Sequence, residues 1–295
     1  MYNFDLINEL EYYKDLTVKT AECIINNSCT IKDRAEKIYL CGTHIGISEV
    51  EERNEKRNKV SSANFCRQRL CPMCQRRKSL KTYSDICRLV ESMPDKTWVH
   101  MVLTVKNVLS GQLQSTISLL YKSSSHLLSK NSSMKKAYHG ALRCLEITYN
   151  ADTGLFHPHL HILLTGDKSL NHNTRKRISK KQLRGFWKDE LGIDYEPQVH
   201  LDYTVNEGVV AEIAKYCCKP LELDLPPAQR AWVLESLHEA LHGRRTMQSY
   251  GEIRQRLHEL KINLDDDEEL PCPEFTEQMF VYDFDRLTYI SYKNK

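Results

Sequence analysis

The segment 155–166, LFHPHLHILLTG, has three histidines at alternate positions, and they are His157, His159 and His161. Successive side chains of a β-strand point to opposite faces, so the histidines share one face and apolar side chains share the other. The pattern predicts a strand whose apolar face packs in a core while its imidazole face is free to do chemistry. A half-exposed strand whose histidines have no function is the alternative.

The length and composition of the chain narrow the class of protein. A chain of 295 residues can build one large domain or two of modest size. It has no apolar run of about 20 residues that could span a bilayer, and no basic segment followed by an apolar core at its N-terminus, so we expect a cytoplasmic protein without a membrane partner. The net charge of +3 is mild, so any nucleic-acid binding depends on local clusters. Eleven cysteines in such a chain favour metal ligands over a disulfide framework.

A hairpin before the histidines adds a carboxylate to their face. The segment GALRCLEITYN (140–150) has the composition of a strand, and the turn residues NADTG (150–154) join it to the histidine strand. A loop centred between residues 152 and 153 places Glu146 opposite His159. One carboxylate and two imidazoles suit Mn²⁺ or Mg²⁺, although Zn²⁺, Co²⁺ and Ni²⁺ also bind such ligands. An exposed strand carboxylate is the alternative for Glu146, and a slip of one residue in the register turns it to the other face.

A tyrosine between lysines is the candidate nucleophile. The segment EGVVAEIAKYCCKP (207–220) reads as a helix that ends at a proline, and Glu212, Tyr216 and Lys219 share one stripe of it. The ammonium groups of Lys215 and Lys219 favour a phenolate and would neutralise a phosphodiester, which helps a tyrosine to act as a covalent nucleophile. A tyrosine on the surface of an amphipathic helix is the alternative.

The cysteines of the segment CRQRLCPMC (66–74) have the spacing of a zinc site, and they are Cys66, Cys71 and Cys74. A fourth ligand is needed, for which Cys41 and His44 are the candidates. Residues 26–77 have little apolar periodicity, so we expect the zinc to be structural, with free thiols in a polar loop as the alternative. Basic side chains crowd the same region, and we expect them to contact DNA phosphates. These are Arg67, Arg69, Arg76, Arg77, Lys78 and Lys81.

Several segments, in this order along the chain, resemble the HUH endonucleases, and within them the rolling-circle replication initiator (Rep) proteins of small Gram-positive plasmids. The resemblance covers roughly residues 41–264. The segments are FCRQRLCPMCQRRKSLK, TWVHMVLTVKN, ALRCLEITYN, HPHLHILL, AEIAKYCCK and GRRTMQSYG.

The resemblance implies a site-specific nickase and strand transferase of the bacterial cytoplasm that acts on single-stranded or hairpin origin DNA. Tyr216 would attack the scissile phosphate, forming a 5′-phosphotyrosyl link and freeing a 3′-OH that primes synthesis. His159 and His161, with Glu146 as third ligand and His157 as an accessory, would hold the metal. Glu212 would activate water in a second cleavage.

The resemblance also bears on the zinc site, the fold and the partners. It favours Cys41 over His44 as the fourth zinc ligand. It implies an α+β fold with a central antiparallel sheet of the HUH nuclease type, akin to RRM and ferredoxin-like folds. We expect helices on one face of this sheet, the histidine strand in its middle, and a small zinc-binding module at the N-terminus. A host helicase and a second copy of the chain are further candidate partners.

We expect three parts in the chain. Residues 1–94 would form the N-terminal helix and zinc-binding module, residues 95–222 the HUH endonuclease domain, and residues 223–295 a C-terminal helical segment with an acidic tail. Two other functions stay open at this point. One is a zinc-stabilised DNA-binding repressor without catalysis, and the other is a metallohydrolase that activates water and does not need Tyr216.

Overall fold

A computed structural model describes residues 4–28, 30–52, 55–172, 177–203, 225–264 and 278–292. Helices and strands alternate along the chain without a simple repeat. In chain order they are α1 (Phe4–Asn27), α2 (Lys32–Tyr39), β1 (His44–Glu52), β2 (Glu55–Ala63), α3 (Pro72–Glu91), β3 (Lys96–Thr104), α4 (Ser110–Lys130), α5 (Ser132–Ala137), β4 (Gly140–Asn150), β5 (Leu155–Asp167), α6 (Ser169–His172), α7 (Lys180–Leu191), β6 (Val199–Asp202), α8 (Pro227–Leu241), β7 (Met247–Tyr250), α9 (Gly251–Glu259), β8 (Gln278–Asp283) and β9 (Thr288–Tyr292). Within the described ranges, no helix is both long and apolar enough to cross a bilayer.

The chain divides into two compact units, each with its own antiparallel sheet. The first unit comprises Met1–Lys78, Pro220–Glu235 and Asp267–Lys295, and the second comprises Ser79–Lys219 and Ser236–Asp266. The predicted α+β class with antiparallel sheets and flanking helices is confirmed.

The first unit joins the two ends of the chain. Its sheet has the strand order β2-β1-β8-β9, in which His44 of β1 pairs with Val281 of β8. Apolar residues of α1 and α2, such as Ile24 and Ile38, are buried in its core together with Phe280. From the sequence, this C-terminal part is expected to be a helical segment with an acidic tail and without strands, whereas the structure has two strands there. Strands β8 and β9 are short, and β8 pairs with a strand more than two hundred residues away, which no local pattern reveals.

The second unit has the strand order β6-β3-β5-β4-β7, with every neighbouring pair antiparallel. The histidine strand β5 therefore lies in the middle of the sheet, as predicted. Its apolar face is buried, since Phe156, Leu160, Ile162 and Leu164 have no exposed surface.

Helices cover both faces of this sheet, which corrects the expectation of helices on one face only. Helix α4 packs against β5 on the apolar face, where Ser124 of α4 accepts a hydrogen bond from Arg143 of β4. On the histidine face, Ile86 and Leu89 of α3 pack in a cluster with Leu163 of β5. After its last histidine, β5 places the apolar side chain of Leu163 on the same face. This side chain has to be buried, which explains the second layer of helices.

Candidate metal centres

Three side chains from two paired strands converge on the histidine face of the second unit. Oε2 of Glu146 lies 2.7 Å from Nε2 of His159 and 3.0 Å from Nε2 of His161. The ligand atoms of the three residues all lie within 4.8 Å of one another. All three side chains are buried, with 6–9% of their surface exposed. We call this group the Glu-His-His cluster.

The register of the β4–β5 hairpin produces this convergence. Glu146 pairs directly with His159, as predicted, and Cys144 pairs with His161. The four-residue loop between Asn150 and Leu155 sets the register. In this loop the amide N–H of Gly154 donates to the carbonyl of Asn150, and Gly154 has a φ of +69°, which favours glycine.

The hydrogen bonds behind the histidines orient their rings. Nδ1 of His159 lies 3.1 Å from the carbonyl oxygen of His157, which can only accept, so Nδ1 carries the proton. Nε2 is then the ring nitrogen that faces the cluster. Nδ1 of His161 lies 3.1 Å from Nε2 of His100 on β3. Two oriented imidazoles and a carboxylate fit a divalent metal ion by their chemistry.

The carboxyl of Glu146 is held ionised in the cluster. Burial acts to raise its pKa, but hydrogen bonds with His159 and His161 and the charges of these rings outweigh burial and lower the pKa to about 2. The ionised carboxylate is the form that binds a metal ion.

His157 lies beside the cluster rather than in it. Its ring centroid is 4.9 Å from that of His159, and its Nδ1 donates to Oδ1 of Asn107 at 2.7 Å. The side chain of His157 is half-buried. Its other ring nitrogen, Nε2, takes no part in the hydrogen bond to Asn107. The accessory role expected for His157 stays a prediction.

Four cysteines form a second cluster, in the first unit, and they are Cys41, Cys66, Cys71 and Cys74. The Sγ atom of Cys74 lies 3.5 Å from Sγ of Cys41 and 3.7 Å from Sγ of Cys66. Four sulfurs gathered in this way match the ligand set of a structural zinc site. His44, the competing candidate, is exposed and does not belong to this group.

Backbone N–H groups donate hydrogen bonds to two of the cysteine sulfurs. The N–H of Cys66 donates to Sγ of Cys41, and the N–H of Arg67 donates to Sγ of Cys74. Hydrogen bonds from the other three thiols, together with that N–H, lower the pKa of Cys74. Cys71 directly precedes α3, which begins at Pro72, and Cys74 lies in the first turn of this helix, where the helix dipole favours negative charge.

A buried lysine supports the cysteine cluster. The Nζ of Lys14 donates to the carbonyls of Tyr39 and Cys41 and to the hydroxyl of Thr43, and the side chain is fully buried. Burial lowers the pKa of Lys14 to about 8, against the opposing effect of the thiol groups of Cys41, Cys71 and Cys66. The lysine thereby fixes the chain segment that carries Cys41.

The expected DNA-binding residues differ in their surroundings. Arg67 and Arg69 are exposed, and Arg77 and Lys78 are half-buried, with the guanidinium of Arg77 over the ring of Phe65. Arg76 is buried and makes two hydrogen bonds with the carboxylate of Glu9. Lys81 pairs with Asp85 and donates to the carbonyl of Asn263. Arg76 and Lys81 are thus engaged within the protein.

The candidate nucleophile and its neighbours lie outside the described residues. This applies to Tyr216, Glu212, Lys215 and Lys219. Sequence reasoning missed three residues that the structure brings to the two clusters, namely His100, Asn107 and Lys14. The alternation of Val99, Met101 and Leu103 already put His100 on the opposite face of its strand, but only the pairing of β3 with β5 brings that face to the histidines.

Known proteins resemble the chain over most of its length. A family model described as "Replication protein" matches residues 57–283. A "Protein rep" of Streptococcus pneumoniae serotype 2 is 31% identical over 237 residues, which cover 75% of this chain and 71% of that protein. A "Protein rep" of Staphylococcus aureus is 31% identical over 178 residues, covering 59% of this chain and 77% of that protein. A "Protein rep" of Lactiplantibacillus plantarum is 28% identical over 244 residues, covering 78% of this chain and 75% of that protein. No solved structure matches the chain.

Proposed function

The chain belongs to the Rep family of plasmid rolling-circle replication proteins, and from this membership we propose that it starts replication by cutting one strand of a plasmid origin in a metal-dependent, covalent reaction. The membership confirms the family resemblance of the sequence motifs. A protein that initiates replication binds DNA at the origin, in the bacterial cytoplasm where plasmids reside.

The Glu-His-His cluster is the observation that carries the proposal. A buried carboxylate and two buried imidazoles on two adjacent strands are costly to keep without a task, because each buried polar group loses its hydration. Their three ligand atoms converge closely enough to bind one ion. We propose that Glu146, His159 and His161 hold Mn²⁺ or Mg²⁺, with His157 as an accessory. A divalent ion bound there would supply positive charge to the oxygens of the scissile phosphate.

We propose that the other residues of the reaction come from the segment around Tyr216. The phenolate oxygen of Tyr216 attacks the phosphorus, the bond between phosphorus and the 3′ oxygen breaks, and that oxygen takes up a proton as the free 3′-OH. Lys215 and Lys219 would favour the phenolate and neutralise the phosphate. Glu212 would later take a proton from the water that hydrolyses a second phosphodiester.

The four cysteines have a structural role in this proposal. Thiolates held by backbone N–H groups fit Zn²⁺, and four cysteine ligands leave no open position for a substrate. We propose that four basic residues near this cluster contact DNA phosphates. These are Arg67, Arg69, Arg77 and Lys78.

A Tyr216→Phe variant tests the covalent reaction. With Mn²⁺ and single-stranded origin DNA, the native protein should nick once and stay attached to the 5′ end, so that a labelled strand migrates with protein on a denaturing gel. Tyr216→Phe should lose both the nick and the adduct but keep DNA binding, because one hydroxyl changes little in packing or charge. His159→Ala combined with His161→Ala should also abolish cleavage, whereas Glu212→Ala should spare the first nick and impair the later hydrolysis.

Two results would replace the proposal with another function. Cleavage at the native rate by Tyr216→Phe would mean that water is the nucleophile and that the protein is a metallohydrolase. Tight origin binding without any cleavage by the native protein would identify a repressor.

A further inference from the structure

We infer that His100 is a positioning residue for the metal ligand His161, an inference that rests on the proposed function of the Glu-His-His cluster. Nε2 of His100 lies 3.1 Å from Nδ1 of His161. The two rings are nearly parallel, with an interplanar angle of 14° and centroids 5.3 Å apart. His100 is 6% exposed, so water does not compete freely for this hydrogen bond.

The direction of the hydrogen bond follows from what the other nitrogen of His161 does. Nε2 of His161 faces Oε2 of Glu146, at the place where a metal ion would bind. A ring nitrogen that binds a metal ion carries no proton, so the proton of neutral His161 is on Nδ1. Nε2 of His100 then accepts a hydrogen bond from Nδ1 of His161, and His100 carries its own proton on Nδ1. The geometry thus requires an acceptor at His100.

The two histidine ligands differ in how their rings are held. His159 uses the backbone carbonyl of His157, which every residue at that position would provide. At the ring of His161, the corresponding partner of Nδ1 is a side chain, that of His100. A substitution at residue 100 can therefore remove the hydrogen bond at His161, whereas no substitution at residue 157 removes the one at His159.

The place of His100 in the sheet argues against a packing role. His100 pairs with Leu163 on β5, and Trp98 and Leu163 on the same face lie in an apolar cluster with Ile86 and Leu89 of α3. An apolar residue would extend this cluster, and a buried imidazole costs hydration unless its hydrogen bonds compensate. The hydrogen bond to His161 supplies such compensation.

Two substitutions at His100 separate positioning from packing. His100→Phe keeps a ring of similar shape but has no acceptor, so a metal site that depends on the acceptor should lose affinity for Mn²⁺ by about 10- to 100-fold, the usual cost of removing such a partner. His100→Gln places an amide oxygen near the position of Nε2 and should keep an affinity close to the native value. A packing role predicts the opposite order, because Phe suits a buried position better than Gln.

The experiment measures binding of Mn²⁺ to the full-length protein by the loss of the free-ion signal in electron paramagnetic resonance. His258→Phe is the matched control, since His258 is an exposed histidine on helix α9 of the same unit and should leave Mn²⁺ affinity unchanged. Thermal unfolding of each variant reports folding. If His100→Phe unfolds, His100→Met serves as a second variant without a nitrogen acceptor, with the same expected loss.

The outcomes separate this inference from the proposed function. A loss in His100→Phe that His100→Gln restores supports the positioning role. Native affinity in His100→Phe, or equal losses in both variants, overturns that role and leaves the proposed metal site in place. A native protein that does not bind Mn²⁺, or binds it equally well after His159→Ala with His161→Ala, overturns both.

Discussion

At the scale of single residues, Arg67 combines backbone strain with a charge that faces solvent. It has a φ of +56°, in the left-handed region that favours glycine, and it lies directly after the cluster residue Cys66. Its N–H donates to the sulfur of Cys74, so the conformation serves the cysteine cluster. The cysteine spacing predicted the cluster, but the strain could not be predicted, because it arises only when the chain folds around four sulfurs.

Arg67→Gly should therefore weaken DNA binding without lowering stability. Glycine adopts this backbone conformation without the cost of about 1 kcal/mol, so the thermal midpoint should rise or stay level. The lost guanidinium should weaken binding to origin DNA and reduce the slope of log affinity against log salt by about one. Arg67→Lys is the control, since it keeps both charge and strain. A lower midpoint in Arg67→Gly would show that the side chain, rather than the backbone, stabilises this region.

At the scale of elements, the hairpin was predictable and the sheet around it was not. The turn residues and the two segments that form β4 and β5 lie within one short stretch of the sequence. The pairing of Glu146 with His159 therefore follows from local sequence. The contact of His100 with His161 needs β3 to pair with β5, which are separated by two helices and a strand. Pairing over such distances depends on the whole core, and no local pattern specifies it.

The turn residue Gly154 tests how strongly the hairpin contributes to stability. A Cβ at Gly154 would meet only Tyr149 Oη, at 4.0 Å, so the cost of Gly154→Ala is the φ of +69° itself, about 1 kcal/mol. Gly185→Ala is the matched control, because this glycine lies in helix α7 and a Cβ would meet nothing within 4 Å. Gly185→Ala should raise the free energy of unfolding by about 0.5–1 kcal/mol, because alanine favours the helix more than glycine does. Urea unfolding measures both changes, and equal signs for the two variants would contradict this account of the turn.

At the scale of the whole molecule, the two candidate metal clusters belong to different units. The cysteine cluster lies in the unit built around the sheet β2-β1-β8-β9, and the Glu-His-His cluster lies in the unit with the histidine strand. Strand β1 pairs with both its sequence neighbour β2 and the distant β8. The motifs predicted which residues gather in each cluster, yet the joining of the chain ends in one sheet could not be predicted, because it depends on pairing between segments at opposite ends of the sequence.

This separation predicts that removal of zinc affects one unit only. Cys71→Ser with Cys74→Ser takes away two of four ligands, so zinc should be lost and the core around Cys41 and Met73 should loosen. Mass spectrometry of bound metal measures zinc, and hydrogen exchange should rise in β1 but not in β5. Binding of Mn²⁺ should be unchanged, because its ligands pack in the other unit.

Cys87→Ser is the control, because Cys87 lies on helix α3 outside the cluster, and this variant should keep full zinc content. Full zinc stoichiometry in the double variant would show that the four cysteines do not hold the metal, since two remaining thiols cannot complete a tetrahedral site.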